Sequence, residues 1–287
     1  MIGDLREINP ASAACQRWDG GRHSFVRTSD GGFDPVRYAV EPLPEASAKA
    51  FVISTHYSGT YPAASRRYGL FLLEPTGPEL VGVAVFGIPA QAKVLTGVFP
   101  HLEPYVEALE LSRFVLEGPR GGTVRAPANA ESWFLARCFE HLAAVGVRGI
   151  VSFADPVRRI IDGRTLLDGH CGFIYQASNA VFAGRATART IVVLPDGASL
   201  SDRSLQKVRR TERGHEYVER RLLALGARPL RAGVAPASWL RDALDDVGAV
   251  RLRHRGCLRY AMATNRADRA RLRRDLPPLA YPKTVDD

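Results

Sequence analysis

Residues 169–179, with the sequence GHCGFIYQASN, carry the densest group of side chains able to donate, accept or ligate. His170 titrates near neutral pH, and Tyr175 is able to act as a general acid or to orient a substrate. Gln176 and Asn179 offer amide groups for binding a substrate. Each residue also has an ordinary structural role, as a core aromatic ring, a turn residue or a helix cap. The cluster as a whole therefore indicates a site more strongly than any one member.

A second polar pair, Ser152 and Asp155, lies at the end of the apolar stretch 148–154, which we predict to be a buried strand. Open α/β sheets bind their ligands at the carboxyl ends of such strands, so the pair is a candidate for catalysis. The alternative is that Asp155, which precedes Pro156, only caps a turn.

Three upstream residues, His56, Tyr57 and Arg113, are further candidates. His56 and Tyr57 lie at the end of a helix predicted at 45–56. A histidine at this place commonly interacts with the helix dipole, which is the structural alternative. Arg113 lies within a strand predicted at 109–116. Burying an arginine requires a partner, so Arg113 faces either solvent or an anionic group.

Asn129 and Ser132 precede or begin the most regular helical pattern of the sequence, residues 132–144, which has an apolar stripe and ends at Gly146. Free backbone N–H groups at the N-terminus of a helix bind anions, so both are candidate substrate-binding residues. Both are also ordinary first residues of a helix.

The scaffold for these residues is predicted to be α/β (α+β), with a mixed central sheet flanked by helices. Short apolar runs predict strands at 68–73, 80–86, 109–116, 148–154, 187–194 and 251–263. We expect an irregular segment at 1–44 and a single domain at 45–287. Its C-terminal lobe, 195–287, is expected to complete the sheet.

The excess positive charge lies in that lobe. The chain has 39 basic and 30 acidic residues, a net charge of +9, and residues 195–287 contain 20 basic and 12 acidic residues, a net of +8. A basic lobe on a nearly neutral body indicates a polyanionic partner, and we predict double-stranded DNA. A GC-rich genome would also raise the arginine content. The candidate phosphate-binding residues lie on a helical stretch at 199–225 and on the last strand: Arg209, Arg210, Arg213, Arg253 and Arg255.

Several classes of protein are disfavoured. No apolar run approaches the roughly 18–20 residues that cross a bilayer, and the first residues lack the pattern of a signal peptide. The four cysteines are too far apart for a zinc ribbon and do not suggest a disulfide framework, so we expect a cytoplasmic location in a bacterial or phage-infected cell. The motifs of P-loop, serine-hydrolase, zinc-protease and Rossmann enzymes are absent.

Taken in order, these segments resemble the Mom family of phage DNA-modification proteins over about residues 50–283. The resemblance is carried by HY at 56–57, ELSR at 110–113, NAES at 129–132, VSFADP at 151–156, GHCGFIYQASN at 169–179 and LAYPK at 279–283. The Asp-Pro and Tyr-Gln-Ala-x-Asn elements are the most specific. The chain is longer than the family pattern at 157–168 and between Arg113 and Asn129.

The resemblance implies a fold similar to GNAT acyltransferases. It also implies conversion of the exocyclic amine of adenine in DNA to a carbamoylmethyl derivative, which protects DNA from restriction. On this hypothesis Asp155 holds or deprotonates the amine, and Tyr175 is an acid or an orienting group. Arg113 faces a phosphate or a donor carboxylate. His56 and His170 are candidates for proton transfer.

The donor is not identified by the sequence. A GNAT-like fold implies acyl-CoA, with its pyrophosphate at the N-terminus of the helix that starts near Asn129. The chain lacks the Arg/Gln-x-x-Gly-x-Gly/Ala loop that most GNAT enzymes use there. A second hypothesis places iron between His56, Asp155 and Tyr175, because imidazole nitrogens and a carboxylate suit that metal.

Three other functions fit the same sequence. One is a GNAT-type N-acyltransferase that acts on a small molecule or a protein. Another is a non-catalytic DNA-binding protein, in which the polar cluster is structural. A third is a restriction-evasion or toxin-like factor with another acceptor.

Overall fold

The computed structural model describes residues 14–29, 32–161 and 163–285, which divide into two compact units. The first unit comprises the described residues up to Asp155, His170–Arg185, and those from Cys257 onward. The second unit comprises Pro156–Gly169 and Ala186–Gly256. None of the helices in these described ranges has the length and apolar character needed to cross a membrane.

The elements follow one another in mixed order. The strands are β1 (Ala14–Asp19), β2 (Arg22–Arg27), β3 (Tyr38–Pro42), β4 (Ala64–Glu74), β5 (Gly77–Gly87), β6 (Ala108–Leu116), β7 (Gly149–Ala154), β8 (Arg159–Ile161), β9 (Arg164–Leu167), β10 (Val181–Arg185), β11 (Arg189–Val193), β12 (Ser199–Leu200), β13 (Val250–His254) and β14 (Leu258–Ala263). The helices are α1 (Glu45–Thr55), α2 (Lys93–Thr96), α3 (Ala130–Ala144), α4 (Phe173–Ala177), α5 (Asp202–Arg209), α6 (Glu216–Ala224), α7 (Pro236–Asp246) and α8 (Arg266–Asp275).

The first unit is built on a seven-stranded sheet in the order β10-β14-β7-β6-β5-β4-β3. Neighbouring strands are antiparallel except for β6 and β7, which run parallel and are connected through α3. This arrangement confirms the predicted mixed sheet flanked by helices. The last strand returns to this sheet, as predicted, and the structure places it, as β14, between β7 and β10.

Helix α3 covers one face of this sheet. Its buried side chains Phe134, Leu135, Cys138 and Leu142 belong to the same apolar cluster as Leu70 of β4 and other strand residues. Burying each large apolar side chain contributes about 1.5–3 kcal/mol relative to leaving it in water. The opposite face is covered by residues around α2 and α8, including Phe99, Leu102 and Leu272.

A β-bulge in β6 changes which side chains point away from α3. The strand packs onto the α3 side with Leu109, Leu111, Phe114 and Leu116. The spacing of these inward-facing residues changes from two to three between Leu111 and Phe114, because the register against β5 shifts between Leu111 and Arg113. Ser112 is thus the additional residue of a bulge. As a result Arg113 lies on the same face as Glu110, away from α3.

The segment 1–44, expected to be irregular, contains regular structure in its described part. Strands β1 and β2 form an antiparallel hairpin, and β3 is the edge strand of the main sheet. The turn of the hairpin is made by Gly20 and Gly21, both with positive φ. The Asp-Gly-Gly sequence is a hairpin signal, but the flanking residues alternate too weakly for the pattern alone to predict strands.

The second unit has its own core, which differs from the single domain predicted for 45–287. A three-stranded antiparallel sheet, β12-β11-β13, provides Val192, Leu194 and Leu200 to a cluster that includes Leu205, Leu222 and Leu240 of α5, α6 and α7. Strands β8 and β9 form a separate hairpin. Residues 156–169 and 186–256 contain 17 basic and 10 acidic residues, so this unit carries +7 of the net +9.

Two predicted elements are divided in the structure. The helical stretch 199–225 is interrupted between α5 and α6, where Thr211 and Gly214 have positive φ. The predicted strand 251–263 is two strands, β13 and β14, in different units. Gly256 separates them with φ +101°, and a Cβ there would lie 1.9 Å from the carbonyl oxygen of Ala186. Of the predicted lobe 195–287, only the part from Cys257 belongs to the first unit and completes its sheet.

Candidate active site

Several of the candidate residues lie near the point where β6 and β7 stop pairing. The parallel ladder ends at Leu111 and Ser152, after which β6 continues beside β5 and β7 beside β14. Ser152 is fully buried near the carboxyl end of β7, and Asp155 follows that strand. The ends of two diverging parallel strands are where open sheets bind ligands. The structure therefore places this polar pair where the sequence predicted it.

Glu110 is a functional candidate that the sequence reasoning did not select. It lies on β6, on the same face as Arg113, and the Ser112 hydroxyl donates to its Oε1 at 3.1 Å. Burial raises the pKa of Glu110, against the opposing effects of the Ser112 hydrogen bond and the Arg113 charge. The signal was present as a carboxylate inside an otherwise apolar strand, but the bulge that brings it to the side of Arg113 is not visible in the sequence.

Arg113 is held by neutral oxygens. Its Nε and Nη2 donate to the carbonyl oxygen and Oγ1 of Thr60 at 3.2 and 2.8 Å, and its Nη1 donates to the Ser112 carbonyl at 2.6 Å. Burial lowers the pKa of Arg113, and the nearby Tyr57, Glu110 and Tyr175 oppose that shift. A half-buried guanidinium bound only to neutral oxygens through these bonds attracts an anionic or carbonyl oxygen of a ligand.

His56 is joined to Arg113 by a chain of hydroxyl groups. Arg113 donates to Thr60 Oγ1, Thr60 Oγ1 donates to Ser58 Oγ at 3.3 Å, and Ser58 Oγ lies 2.9 Å from His56 Nδ1. The Ser58 backbone N–H also donates to Nδ1 at 3.1 Å. A nitrogen that accepts an N–H carries no proton, so the proton of the neutral ring is on Nε2.

The same environment keeps His56 neutral. Burial lowers its pKa well below 6.5, and the positive charges of Arg113 and His170 lower it further. His56 therefore presents an Nε2–H donor at neutral pH. This differs from the proton-transfer role expected for it, because its lone pair on Nδ1 is already occupied by Ser58.

Tyr175, on α4, interacts with residues of β6 and β7. It is 6% exposed, and burial raises the pKa of its phenol, as does the charge of Glu110. The Ser152 hydroxyl, which donates to the Leu111 carbonyl at 3.1 Å, interacts with the phenol and opposes this shift, as does the charge of Arg113. Tyr175 is thus a protonated phenol at neutral pH, electrostatically coupled to both charged residues of β6.

His170 and Asp155 are adjacent, although fourteen residues lie between them in the chain. The backbone N–H of His170 donates to the carbonyl oxygen of Asp155 at 2.8 Å. The charge of His170 acts on His56, so the 169–179 segment and the end of α1 share one electrostatic environment. The residues brought together by these contacts and couplings are His56, Tyr57, Glu110, Arg113, Ser152, Asp155, His170 and Tyr175.

Gln176 and Asn179, expected to bind a substrate, have structural contacts. Gln176 Nε2 donates to the carbonyl oxygens of Cys171 and Pro282 and to Tyr260 Oη, at 3.0–3.2 Å. Asn179 is exposed in a turn with φ +57°, and its N–H donates to the Gln176 carbonyl. These bonds leave only the amide oxygen of Gln176 for a ligand.

The other predicted substrate-binding residues occupy two different places. Tyr57 packs against His56 and Trp18, with ring centroids 4.3 and 4.9 Å apart. Asn129 and Ser132 lie at the N-terminus of α3, where the Ser132 hydroxyl donates to the Asn129 carbonyl at 3.1 Å. Tyr57 therefore belongs to the candidate active site, and Asn129 and Ser132 belong to the start of the helix.

The five predicted DNA-binding arginines are all exposed in the second unit. Arg209 ends α5, Arg210 and Arg213 follow it, Arg253 lies on β13, and Arg255 follows that strand. Within the part of the chain that the structure describes, none of the five has a carboxylate partner. In contrast, four other arginines of this unit form ion pairs with acidic residues: Arg203 with Glu212, Arg221 with Asp196, Arg228 with Asp246 and Arg241 with Asp242.

Comparisons with known proteins give one family. A model of the Mom protein family matches residues 37–283, which is most of the chain. No curated protein matches the sequence. A solved structure of a tandem GNAT protein from the clavulanic acid biosynthesis pathway, without AcCoA, is similar at a TM-score of 0.40 and 8% identity, over 80% of this chain and 99% of that chain.

Proposed function

The chain belongs to the Mom protein family, and from this membership we propose that it is a transferase that modifies the exocyclic amine of adenine in DNA. The family is one of DNA-modification proteins. The proposed product is a carbamoylmethyl-type adenine, and the proposed role is protection of DNA from restriction in the cytoplasm of a phage-infected bacterium.

The observation that supports the proposal most directly is that a half-buried carboxyl and a half-buried cation lie on one face of β6, beside diverging strands. Glu110 and Arg113 lie on one face of β6, and both act electrostatically on the Tyr175 phenol. A base, a cation and a proton donor that act electrostatically on one another are groups that transfer to an amine requires.

The acceptor is a weak nucleophile. The lone pair of the adenine amine is delocalised into the ring, so the enzyme must orient the amine and remove its proton as the new bond forms. We assign the proton acceptor to Glu110, because a carboxylate with a raised pKa is a stronger base than an exposed one. Asp155, after β7, holds the amine by accepting its second N–H.

Donor binding is assigned to Arg113 and His56. The Arg113 guanidinium and the His56 Nε2–H donate hydrogen bonds to a carbonyl or carboxylate oxygen of the donor and so hold its reacting carbon against N6. Tyr175, kept protonated by burial, gives its proton to the leaving group. In this scheme the N6–H bond breaks, the bond from N6 to the donor carbon forms, and the leaving group departs with its electron pair.

Double-stranded DNA is the proposed partner of the second unit. Its net charge of +7 and the five exposed arginines suit contacts with phosphates, which supply affinity without sequence preference. The target base must also leave the stack, or the groove must be distorted, before its amine is accessible.

The residues do not fit the iron site that was the second hypothesis. His56 Nδ1 accepts hydrogen bonds from Ser58, so its other nitrogen carries the proton and has no free lone pair. Burial keeps the Tyr175 phenol protonated. His56 also belongs to no group of three His, Cys, Asp or Glu ligand atoms among the residues that the structure describes. The proposed reaction is therefore written through the side chains of the chain alone.

The test is to express the chain, digest the cellular DNA to nucleosides and analyse them by mass spectrometry. A modified deoxyadenosine that disappears in Asp155→Ala, with DNA binding retained, supports the proposal. DNA binding without a modified nucleoside supports a non-catalytic binding protein. A modified protein or small molecule in place of DNA supports the N-acyltransferase alternative.

A further inference from the structure

The N-terminal hairpin packs against the start of α3, where a GNAT-like fold would place the pyrophosphate of coenzyme A. The Arg17 side chain, on β1, is fully buried at this point. It donates to the carbonyl oxygens of Ala126 and Pro127 at 2.8 and 2.7 Å, both just before the helix. The hairpin thus places a cation where the helix begins.

All five N–H groups of the Arg17 guanidinium are used within the protein. Besides those two carbonyls, Arg17 donates to its neighbour Gln16 O at 2.9 Å and forms a bidentate ion pair with Glu131, in the first turn of α3. The Glu131 residue is 8% exposed. A carboxylate is therefore already fixed at the helix N-terminus, and the cation beside it has no donor left for a phosphate.

Two backbone donors at this terminus are also engaged. The Asn129 N–H donates to the thiol of Cys15, whose pKa is raised by burial and by the charge of Glu131. The Ala130 N–H donates to the Pro127 carbonyl at 3.2 Å. A diphosphate at this place would have to displace these bonds and lie against the Glu131 carboxylate, at a high electrostatic cost.

Two backbone hydrogen bonds hold the β1–β2 hairpin in place, one to Gly118 and one to Thr55. The Trp18 carbonyl accepts from the Gly118 N–H at 2.7 Å, and a Cβ at Gly118 would lie 2.4 Å from Ser24 Oγ and 3.1 Å from that carbonyl. The Gly21 N–H donates to the Thr55 carbonyl at 3.0 Å, at the end of α1. The Trp18 ring packs on Tyr57, so the same hairpin supports the candidate active site.

We infer that the N-terminus of α3 is a closed structural contact in this chain, and that the donor is not a coenzyme A thioester. The donor is instead a small molecule recognised through a carboxylate or carbonyl oxygen by Arg113. The identification of the donor rests on the proposed function; the closure of α3 does not.

The test uses coenzyme A and acetyl-coenzyme A as probes of the full chain by titration calorimetry, with Glu131→Gln and a matched control, Glu140→Gln. Glu140 lies on the same helix, is exposed and forms an ion pair with the half-buried Arg137. We expect no saturable binding of either probe to any of the three proteins. We also expect Glu131→Gln to lower the melting temperature by roughly 5–10 °C and Glu140→Gln by little, because only the first leaves a buried cation without its charged partner.

Saturable binding of either probe to the unmodified chain would overturn the inference, and tighter binding to Glu131→Gln alone would place the site at α3. Equal melting temperatures for the two variants would refute the closed contact. Nucleoside analysis of DNA from the same cells separates this result from the proposed function. A chain that binds neither probe and modifies no adenine refutes the proposed function while the closure of α3 stands.

Discussion

Arg113 binds Thr60 twice, with Nε on the carbonyl oxygen at 3.2 Å and Nη2 on Oγ1 at 2.8 Å. The bulge at Ser112 turns Arg113 to this side of β6, and Thr60 belongs to the loop that follows α1. Because Thr60 in turn donates to Ser58 beside His56, the orientation of the imidazole depends on a strand that is distant in sequence. Thr60 is thus a positioning residue for both donor-binding groups.

Replacing Thr60 by valine removes the hydroxyl and keeps the shape of the side chain. We expect the yield of modified nucleoside to fall about 10- to 100-fold, because Arg113 and His56 lose their common support and small misplacements are costly. The ¹⁵N NMR shifts of the His56 ring should also move, since the bond that fixes the Ser58 hydroxyl is lost. Thr264→Val is the control, because it removes a hydroxyl bonded to the Val147 carbonyl at 2.8 Å, outside this chain of bonds. Equal yields for the two variants would contradict the role of Thr60.

Glu110→Gln should abolish activity and stabilise the fold at neutral pH. Loss of a general base commonly costs 10²–10⁴-fold in rate, by an order-of-magnitude estimate. The raised pKa of Glu110 means that the folded state binds this proton more tightly than the unfolded state. The ionised carboxylate therefore costs stability above its folded pKa, and the cost disappears below the ordinary glutamate value of about 4.3. Melting temperatures measured against pH should show a gain for the variant at pH 7 and none in acid.

Glu107→Gln is the matched control for the direction of this change in melting temperature. Glu107 lies just before β6, and the Glu103 N–H and Arg148 hold the pKa of its carboxyl below the usual value. Its stabilising effect is present above the unfolded pKa and is lost as pH falls through the folded one. At pH 7 this variant should melt lower than the unmodified chain. A shift in the same direction for both variants would contradict the assignment of Glu110.

Changing Arg209, Arg210 and Arg213 together to glutamine should weaken binding to duplex DNA and flatten its salt dependence. Each lost phosphate contact reduces the slope of log affinity against log salt by about one. The control changes three exposed arginines that are paired with carboxylates: Arg241, Arg271 and Arg274. Both variants lose the same charge, so fluorescence anisotropy at several salt concentrations separates local contacts from net charge. Equal slopes for the two triple variants would contradict the assignment.

Asp268 joins α8 to the start of β7. Its side chain is 4% exposed and accepts from Arg148 Nε and Nη2, both at 2.8 Å, which lowers its pKa to about 2. Asp268→Asn should cost about 2 kcal/mol at pH 7, and the difference should vanish as pH falls from about 4 to about 2. Asp275→Asn, an exposed residue of the same helix, is the control in denaturant titrations. A loss for Asp268→Asn that is independent of pH would show that packing, not the ion pair, stabilises this contact.

The sequence predicted the sheet well where periodicity is strong. The hairpin at 68–86, the strand at 148–154 and the helix at 132–144 agree with β4, β5, β7 and α3 within a few residues. The return of the last strand to the main sheet was predicted from order along the chain, but its pairing with β7 was not. These elements are specified by local apolar patterns that tertiary contacts reinforce.

Other features depend on contacts that no local pattern encodes. Glu110 became a candidate only through the bulge at Ser112, and Arg17 is buried only because Glu131, far along the chain, accepts its bonds. The polar alternation of β1 and β2 gave no apolar face to detect. The second unit was not predicted because the local patterns of its helices and strands do not show that these elements share a core of their own.

Nucleoside analysis of DNA from cells expressing the chain or Glu110→Gln decides whether the chain modifies adenine and whether Glu110 accepts the proton. In a host that supplies the donor, we expect a deoxyadenosine carrying an added carbamoylmethyl-type group with the unmodified chain. We expect none with Glu110→Gln, although that variant is folded and binds DNA. An unaltered deoxyadenosine profile with the unmodified chain, or equal amounts of product from both proteins, would contradict it.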